Sequence, residues 1–266
     1  MPFLNWFKKK KVGLVLGGGV ARGIAHIGVL KVLHTYHVPI DYIVGTSSGS
    51  IVGAAYASGM DIGLIEQVSL RIRWSDFLKF SFFQPGFISA KVIEEFIEKY
   101  IGDKRISELK IPFAAVATDL ISGSAVVLDE GKVTSAVAAS AAFPGFFAPE
   151  EIGGHMLVDG GISSNVPVAA VRNMGAEFVI ASDVIPKKYV SAFPRDPLQV
   201  FSRSLDLILK KLSSEEAHKA DILIELEMEE DIWQLDLHKA KKLITAGEVA
   251  AHRVINKIRR SLGLRS

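Results

Sequence analysis

A serine at the centre of a Gly-x-Ser-x-Gly sequence is the first group in this chain that could do covalent chemistry. Ser47 lies within Gly45-Thr46-Ser47-Ser48-Gly49, between a predicted strand and a predicted helix. At such a sharp turn the glycines avoid clashes with the flanking elements, and the serine is exposed as a nucleophile. A plain turn with a serine helix cap is the alternative interpretation. We take Ser47 as the candidate nucleophile.

A run of glycines precedes this serine, at the start of another predicted helix. Gly17, Gly18 and Gly19 are followed by Val20 and by Ala-Arg-Gly at residues 21–23. The spacing misses the dinucleotide-binding and Walker patterns, so nucleotide binding is disfavoured. Amides at a helix amino terminus can instead donate to a developing negative charge. The amides of Gly18, Gly19 and Val20 are candidate oxyanion-hole donors, and close packing of helix on strand is the alternative.

A serine nucleophile needs a base, and Asp159 has the best local context for that role. It ends a predicted strand and is followed by Gly160 and Gly161, in a turn that can project a carboxylate into a site at the strand ends. An ordinary Asp-Gly turn is the alternative interpretation. Asp119 and Asp183 also end predicted strands and are second choices.

Histidine is the usual base for a catalytic serine. The chain has seven histidines, but none lies in a strand-end loop with a distinctive motif. We expect His26, on the helix directly after the glycine run, to be structural. The residues alone therefore leave the base open between Asp159 and the histidines that follow the serine. These are His155, His218, His238 and His252.

These residues fall on alternating predicted strands and helices. A strand at 12–16, the glycine run and a helix at about 22–36 form one unit, and a second unit runs from a strand at 40–44 to a helix ending at 58. Repeated units of this kind predict a parallel sheet with helices on both faces, hence an α/β fold. Further strands are predicted at 113–118, 124–128, 156–158, 178–183 and 222–226, and helices at 92–100 and 132–142.

The composition is that of a folded chain without cysteine. Its 266 residues are 49% hydrophobic and 23% charged, which predicts one large domain with a sizeable core. The lack of cysteine excludes a disulfide scaffold, a thiolate metal site and a cysteine nucleophile. A net charge of +2 does not favour nucleic-acid binding. No cluster has metal-ligand spacing, so we expect neither a metal nor a cofactor.

Two aromatic segments favour a membrane surface as a partner. Apolar side chains at 3–7 precede lysines at 8–11, and five phenylalanines lie within 74–87. Aromatic residues beside lysines suit an interface with anionic lipid, although a frayed terminus and a core loop are the alternatives. The longest uncharged stretch, 42–60, is too polar to span a membrane, and the amino terminus is not typical of a signal peptide. We expect a cytoplasmic protein, peripheral at the inner membrane face.

Together the motifs resemble those of the patatin-like phospholipase family, over about residues 12–183. The motifs that carry the resemblance are the glycine run Gly17 to Gly23 with Arg22 before its last glycine, the turn Gly45 to Gly49, and Asp159-Gly160-Gly161. Further similar segments are Ala117 to Leu120, Ala139-Ser140 with Pro144, and Ser164-Asn165-Val166-Pro167. Val20 departs from the pattern, because many members carry glycine there.

The resemblance implies a three-layer α/β/α fold with a mainly parallel central sheet. It implies a Ser47–Asp159 dyad that works without histidine and without a cofactor. The implied activity is hydrolysis of fatty-acyl esters of phospholipids, lysophospholipids or related lipids. Acyl transfer at the same site, or a non-catalytic lipid-binding regulatory role, are the alternatives. The expected organisation is an aromatic and basic segment at 1–11, a catalytic domain at 12–226, and a helical extension at 227–266 packed on or beside it.

Overall fold

A single sheet of eight strands organises the part of the chain that the structure, a computed structural model, describes. The described residues are 9–78, 88–186, 193, 194, 196–228, 230 and 232–264. The strands are β1 (Val12–Leu16), β2 (Tyr42–Thr46), β3 (Phe113–Asp119), β4 (Ala125–Leu128), β5 (Glu150–Ile152), β6 (His155–Asp159), β7 (Phe178–Asp183) and β8 (Ile222–Glu225).

The strands follow the order β5-β6-β3-β2-β1-β7-β8, and β4 pairs with β3 beside this path. The central run from β3 to β8 is parallel, whereas β4, β5 and β6 join by antiparallel pairing. Leu16 lies opposite both Gly45 and Ser182, so the carboxyl ends of β1, β2 and β7 meet at one edge. Ligands of open α/β sheets bind at this edge.

Helices cover both faces of the sheet, which confirms the three-layer α/β/α fold. They are α1 (Ala25–Thr35), α2 (Ser48–Ala57), α3 (Ile62–Arg71), α4 (Trp74–Leu78), α5 (Lys91–Ile101), α6 (Val133–Ser140), α7 (Val168–Asn173), α8 (Pro197–Ala217) and α9 (Ala240–Leu262). Alternate residues of β1 face opposite layers, as the pleat requires. Leu14 and Leu16 share a core with α1, α2, α5, α6 and α9, and Val15 packs with α7.

The last helix, α9, packs backbone to backbone on α1. A side chain at Gly28 would overlap the carbonyl oxygen of Ile244, and one at Gly247 would overlap that of Ala25. Leu243 of α9 belongs to the same hydrophobic core as the central strands. The extension expected at 227–266 therefore shares that core, and a boundary at residue 227 stays a proposal.

Four elements were not predicted from the sequence: α3, α4, α7 and the edge strand β5. Helix α3 begins where the Asp61 carboxylate accepts hydrogen bonds from the amides of Gly63 and Leu64, an N-cap that stabilises a helix with a weak apolar pattern. Strand β5 is three residues long, too short to show a two-residue period.

The aromatic segments expected at a membrane lie largely outside the described residues, since 1–8 and 79–87 are not among them. Trp74 is described, and its ring N–H donates to the carbonyl oxygen of Leu235 at 2.7 Å. Within the described ranges, no helix has both the length and the apolar character needed to cross a membrane.

Candidate active site

Ser47 occupies a strained turn between β2 and α2. Its φ of 53° and ψ of −127° lie outside the regions that non-glycine residues favour. The Ser47 amide donates to Ser140 Oγ at 3.0 Å, and that hydroxyl donates to the carbonyl oxygen of Val116 at 2.6 Å. The Ser47 carbonyl oxygen accepts from the Ser50 hydroxyl at 2.7 Å. Strain of this kind persists only where neighbouring contacts hold it, and it is common at functional sites.

Gly45 and Gly49 allow this turn to form. A side chain at Gly45 would lie 2.5 Å from the Ser50 Cα, and one at Gly49 would overlap the Leu16 carbonyl oxygen. Because both clashes are with backbone, no rotamer change relieves them. The Gly-x-Ser-x-Gly spacing thus follows from close packing of α2 against β1 and β2.

Asp159 ends β6 and is buried beside Ser47 in a small cleft that both residues line. Its Oδ1 accepts from the Gly161 amide at 2.8 Å, within a 3₁₀ turn that begins at Gly160. Its Oδ2 has no hydrogen-bond partner among the described residues. Burial raises the pKa of Asp159 to about 6, and the nearby Ser47 hydroxyl and the Gly161 amide partly oppose this. The carboxylate therefore keeps one free oxygen next to the serine.

The glycine run lies directly against Ser47, since a side chain at Gly18 would come 3.0 Å from the Ser47 Cβ. The Gly18 amide donates to Asn165, at 3.1 Å to Oδ1 and 3.3 Å to the carbonyl oxygen. The Gly19 amide donates to Ser48 Oγ at 3.1 Å. The Val20 amide has no acceptor in the described part of the chain, and Val20 has a positive φ of 51°. The sequence did not indicate the contacts of Ser48 and Asn165.

His26 forms hydrogen bonds with the glycine run and with strand β7. Its Nε2 lies 2.7 Å from the Gly17 carbonyl oxygen and its Nδ1 lies 3.0 Å from Ser182 Oγ. A carbonyl oxygen can only accept, so Nε2 carries the proton and Nδ1 accepts from the serine. Burial lowers the pKa of His26 to about 4, which keeps the ring neutral. Both ring nitrogens are therefore used within the scaffold.

Across the described chain, no histidine lines the cleft that holds Ser47 and Asp159. His155 is half exposed and contacts Asp119, whose pKa is lowered chiefly by the Ile121 amide and the Ser122 hydroxyl. Asp183 accepts from the Lys210 ammonium at 2.7 Å. Neither of these second-choice carboxylates lines the cleft. Two carboxylates do line it, and of these Asp206 is bound to Arg22, whereas Asp159 keeps one oxygen without a partner among the described residues.

An apolar cavity of about 180 Å³ is lined by Ser47 together with residues of the glycine run and of α2. Its walls are almost entirely hydrocarbon and come from α1, α2, α3, α5 and the segment after α6. They include Ile24, Val52, Ile65, Phe96, Ile97 and Phe143. A cavity of this composition suits an alkyl chain, because burying apolar surface is favourable.

Arg22 ties the glycine run to helix α8 through a buried ion pair. Its guanidinium donates to both carboxylate oxygens of Asp206, at 2.8 Å from Nη1. The Gln234 side chain donates to the same carboxylate at 2.6 Å, and the Gln234 carbonyl oxygen accepts from the Ala21 amide at 3.0 Å. Gly23 packs against the Ser48 side chain. The roles of Asp206 and Gln234 were missed from the sequence.

A family model described as Patatin-like phospholipase matches residues 14–172. Uncharacterized NTE family proteins of Mycobacterium bovis and Mycobacterium tuberculosis are 37% identical over 178 residues, which cover 64% of this chain and 48% of theirs. Patatin-like phospholipase domain-containing protein 6 of Homo sapiens is 35% identical over 181 residues, or 65% of this chain and 13% of that protein. The chain thus spans about half or less of the length of these relatives.

Two solved structures share the fold at low sequence identity. VipD from Legionella pneumophila has a TM-score of 0.56 and 14% identity, with 94% of this chain and 67% of that chain covered. A chain in the complex of SpcU with ExoU from the type III secretion system of Pseudomonas aeruginosa has a TM-score of 0.54 and 13% identity, covering 96% and 53%. At this identity the likeness concerns the fold alone.

Proposed function

The chain belongs to the patatin-like phospholipase family, and we propose that it is a lipid acyl hydrolase with Ser47 as nucleophile and Asp159 as general base. The observation that carries the proposal is the pairing, in one cleft, of a buried carboxylate with a strained serine that also lines an apolar cavity. Fatty-acyl esters of phospholipids, lysophospholipids or related lipids are the proposed substrates.

In the first step, Ser47 Oγ attacks the ester carbonyl carbon while its proton passes to Asp159 Oδ2. Burial makes Asp159 a stronger base than an exposed carboxylate, and with a pKa of about 6 it is still mostly ionised at neutral pH. A base whose pKa lies near the working pH combines the correct ionisation with useful basicity. One carboxylate therefore suffices for proton transfer.

The Val20 and Gly19 amides are the proposed donors to the oxyanion that forms in this step. The Val20 amide is free of other acceptors in the described structure, and Gly19 becomes available when the Ser48 hydroxyl rotates away. The Gly18 amide, held by both oxygens of Asn165, mainly fixes the loop. Each oxyanion donor contributes roughly 3 to 4 kcal/mol in hydrolases.

The tetrahedral intermediate collapses when the ester C–O bond breaks and the leaving alcohol takes the proton from Asp159. This leaves the acyl group on Ser47 with its alkyl chain in the cavity. Water then attacks the acyl carbon and gives its proton to Asp159. Breaking the bond to Ser47 Oγ returns that proton to the serine and releases the fatty acid.

A fluorophosphonate probe tests this assignment directly. We expect covalent labelling at Ser47, no labelling of folded Ser47→Ala, and release of free fatty acid from phospholipid by the parent protein. An activated serine oxygen displaces fluoride from the phosphorus, and the tetrahedral adduct that forms resembles the tetrahedral intermediate of ester hydrolysis. A folded parent protein that takes no label would contradict the hydrolase. Acyl transfer to an added alcohol without fatty-acid release would instead assign an acyltransferase.

Replacing Asp159 with asparagine should change how stability depends on pH. Because the folded-state pKa of about 6 lies above the ordinary value of 3.8, the native protein loses stability as pH rises from about 4 to above 6, by up to about 3 kcal/mol. An asparagine side chain cannot ionise, so Asp159→Asn lacks this loss. The unfolding free energy of the variant, relative to that of the parent, should therefore increase as pH rises from about 4 to about 8.

Denaturant unfolding at both pH values measures this difference, and Asp119→Asn is the matched control. The pKa of Asp119 is lowered, so its stabilising effect is present at high pH and lost on acidification. The Asp119 variant should therefore diverge from the parent in the opposite direction. Parallel pH dependence in Asp159→Asn and the parent would show that Asp159 is not a destabilising buried carboxylate.

Peripheral contact with a membrane also remains a proposal. Its basis in the sequence is the two aromatic segments at 3–7 and 74–87, and most residues of these segments lie outside the described ones. A lipid substrate would be reached most directly from a bilayer surface, which supports such contact.

A further inference from the structure

The two strands that carry the reactive residues are not neighbours in the sheet. Strand β3 lies between β2, which ends one residue before Ser47, and β6, which ends at Asp159. Neighbouring strands lie about 4.8 Å apart, so β2 and β6 are separated by about 10 Å. Contacts at the strand ends must therefore determine how closely Ser47 approaches Asp159.

A side-chain hydroxyl interrupts the pairing of β2 with β3 at Ser47. The Ile43 amide donates to the Pro112 carbonyl oxygen at 2.9 Å. Because the hydrogen bonds of a parallel pair repeat every two residues, the same pattern directs the Ser47 amide toward the Val116 carbonyl oxygen. Ser140 Oγ lies between these two groups, since it accepts from the Ser47 amide at 3.0 Å and donates to the Val116 carbonyl oxygen at 2.6 Å. One hydroxyl therefore separates the nucleophile from β3 at the point where the chain leaves the sheet.

Burial and bonding fix the Ser140 hydroxyl in this place. Ser140 is the last residue of α6, and its side chain is fully buried. A carbonyl oxygen can only accept, so the hydroxyl proton is committed to Val116 and a lone pair points at the Ser47 amide. The φ of 53° at Ser47 is a conformation that persists only where the surroundings hold it. The hydroxyl is one of the contacts that hold it.

The same end of α6 also binds the backbone of Asp159. The carbonyl oxygen of Ala142, two residues after Ser140, accepts from the Asp159 amide at 3.0 Å. Ala142 is fully buried and Asp159 is 4% exposed, so this bond is shielded from water. A single short segment, 140–142, thus forms hydrogen bonds with the backbone amides of both reactive residues.

We propose that the carboxyl end of α6, residues 140–142, sets the separation of Ser47 and Asp159, and that Ser140 is a positioning residue for the nucleophile. Its hydroxyl keeps the Ser47 amide from bonding directly to Val116 and so holds the turn that places the serine beside Asp159. The effect on the reaction rests on the proposed function, whereas the position of Ser47 can be measured without it.

Ser140→Ala removes the hydroxyl and is the direct test. In its crystal structure we expect the Ser47 amide to bond to the Val116 carbonyl oxygen and the Ser47 φ to leave the value of 53°. A displacement of about 1 Å at a reacting group costs about 10²-fold in rate, so kcat for a short-chain ester should fall by that factor with KM within about threefold of the parent value. Labelling of Ser47 by the fluorophosphonate should slow by a similar factor.

Ser140→Cys separates the hydrogen bond from the packing. A thiol fills nearly the same space as the hydroxyl, but sulfur is a weak donor and a weak acceptor, so this variant should also lose most of kcat. The chain has no other cysteine, so the new thiol has no disulfide partner within the chain. A fold that tolerates the smaller alanine side chain poorly can thus be tested with cysteine.

Ser135→Ala is the matched control on the same helix. The Ser135 hydroxyl donates to Glu94 Oε1 at 2.6 Å and so joins α6 to α5. Neither residue is among the described ones that line the cleft or the apolar cavity. Loss of this hydroxyl should leave kcat within about twofold of the parent value, because it does not bond to the reactive pair.

Failure of the positioning proposal is distinct from failure of the proposed function. An unchanged Ser47 turn in the Ser140→Ala crystal structure, with or without a water in place of the hydroxyl, overturns positioning even if the parent takes the label. A parent kcat in Ser140→Ala, or an equal loss of kcat in Ser135→Ala, also overturns it. A turn that changes as expected, in a protein whose Ser47 is inert in the parent, overturns the hydrolase alone.

Discussion

Ser47→Ala and Asp159→Asn should each lower kcat/KM for a short-chain ester by about 10⁴-fold or more, whereas replacing His155, His218, His238 or His252 one at a time should leave most of the rate. Ser47→Ala removes the attacking oxygen. Asp159→Asn removes the proton acceptor at nearly constant shape, because the asparagine side chain can still accept from the Gly161 amide. The two losses should not add in the double variant, since both residues act in one step.

The histidine controls follow from where the rings lie. His26 uses both ring nitrogens on Gly17 and Ser182, so His26→Gln tests support of the loop and should affect stability first. His155→Ala leaves the cleft unchanged, because that ring is half exposed and contacts Asp119. Asp119→Asn is the matched carboxylate control, since Asp119 also ends a strand.

The identity of the general base is decided by rates measured on variants whose folding has been confirmed. A pH profile alone does not distinguish an aspartate base from a histidine base. Burial raises the pKa of Asp159 to about 6, which is close to the ordinary value of about 6.5 for histidine. Either base would therefore give activity that falls as pH drops below about 6. An inactive variant of His155, His218, His238 or His252 beside an active Asp159→Asn would replace the dyad by a triad.

The elements that carry Ser47 and Asp159 could be predicted because the apolar runs and the glycine turns in the sequence indicate the same strands. The first two strands are short buried apolar runs followed by glycine turns, and the central strand β3 is buried along its whole length. Buried runs bounded by glycine are typical of strands in a parallel sheet. The parallel sheet then brings the strand ends to one edge, where the motif residues meet.

The contacts that hold the site could not be predicted because they join residues far apart in the chain. Asn165 lies 147 residues after Gly18, and Asp206 lies 184 residues after Arg22. In the sequence, Asp206 looks like an ordinary charged position on an amphipathic helix. Only the packing of α8 on the glycine run turns it into a buried partner.

Breaking the Arg22–Asp206 pair should destabilise the protein more than any exposed ion pair could. Both side chains are almost fully buried, so Asp206→Asn leaves the Arg22 guanidinium without a countercharge, and Arg22→Met leaves a buried carboxylate held by Gln234. Loss of one partner from a buried pair costs about 3–5 kcal/mol. We expect each single variant to lose that much unfolding free energy.

The double variant Arg22→Met with Asp206→Asn should recover much of this loss, because it removes both charges and keeps an acceptor for Gln234. Denaturant unfolding of the four proteins gives the coupling energy by a double-mutant cycle. The partly exposed pair of Lys31 and Glu248, each about one-third exposed, is the control. Lys31 also pairs with Glu66, which stays in place throughout, and the Lys31–Glu248 cycle should give less than about 1 kcal/mol.

The same four proteins also show whether the Arg22–Asp206 pair only stabilises the fold or also positions the glycine run. Arg22 lies next to Ala21 and Gly23 in the segment that follows the proposed oxyanion donors, and Asp206 lines the cleft. If the pair positions this loop, the double variant should regain stability but retain a lowered kcat, because small displacements of oxyanion donors are costly. Additive losses in stability, or full activity in the double variant, would show that α8 does not position the glycine run through this pair.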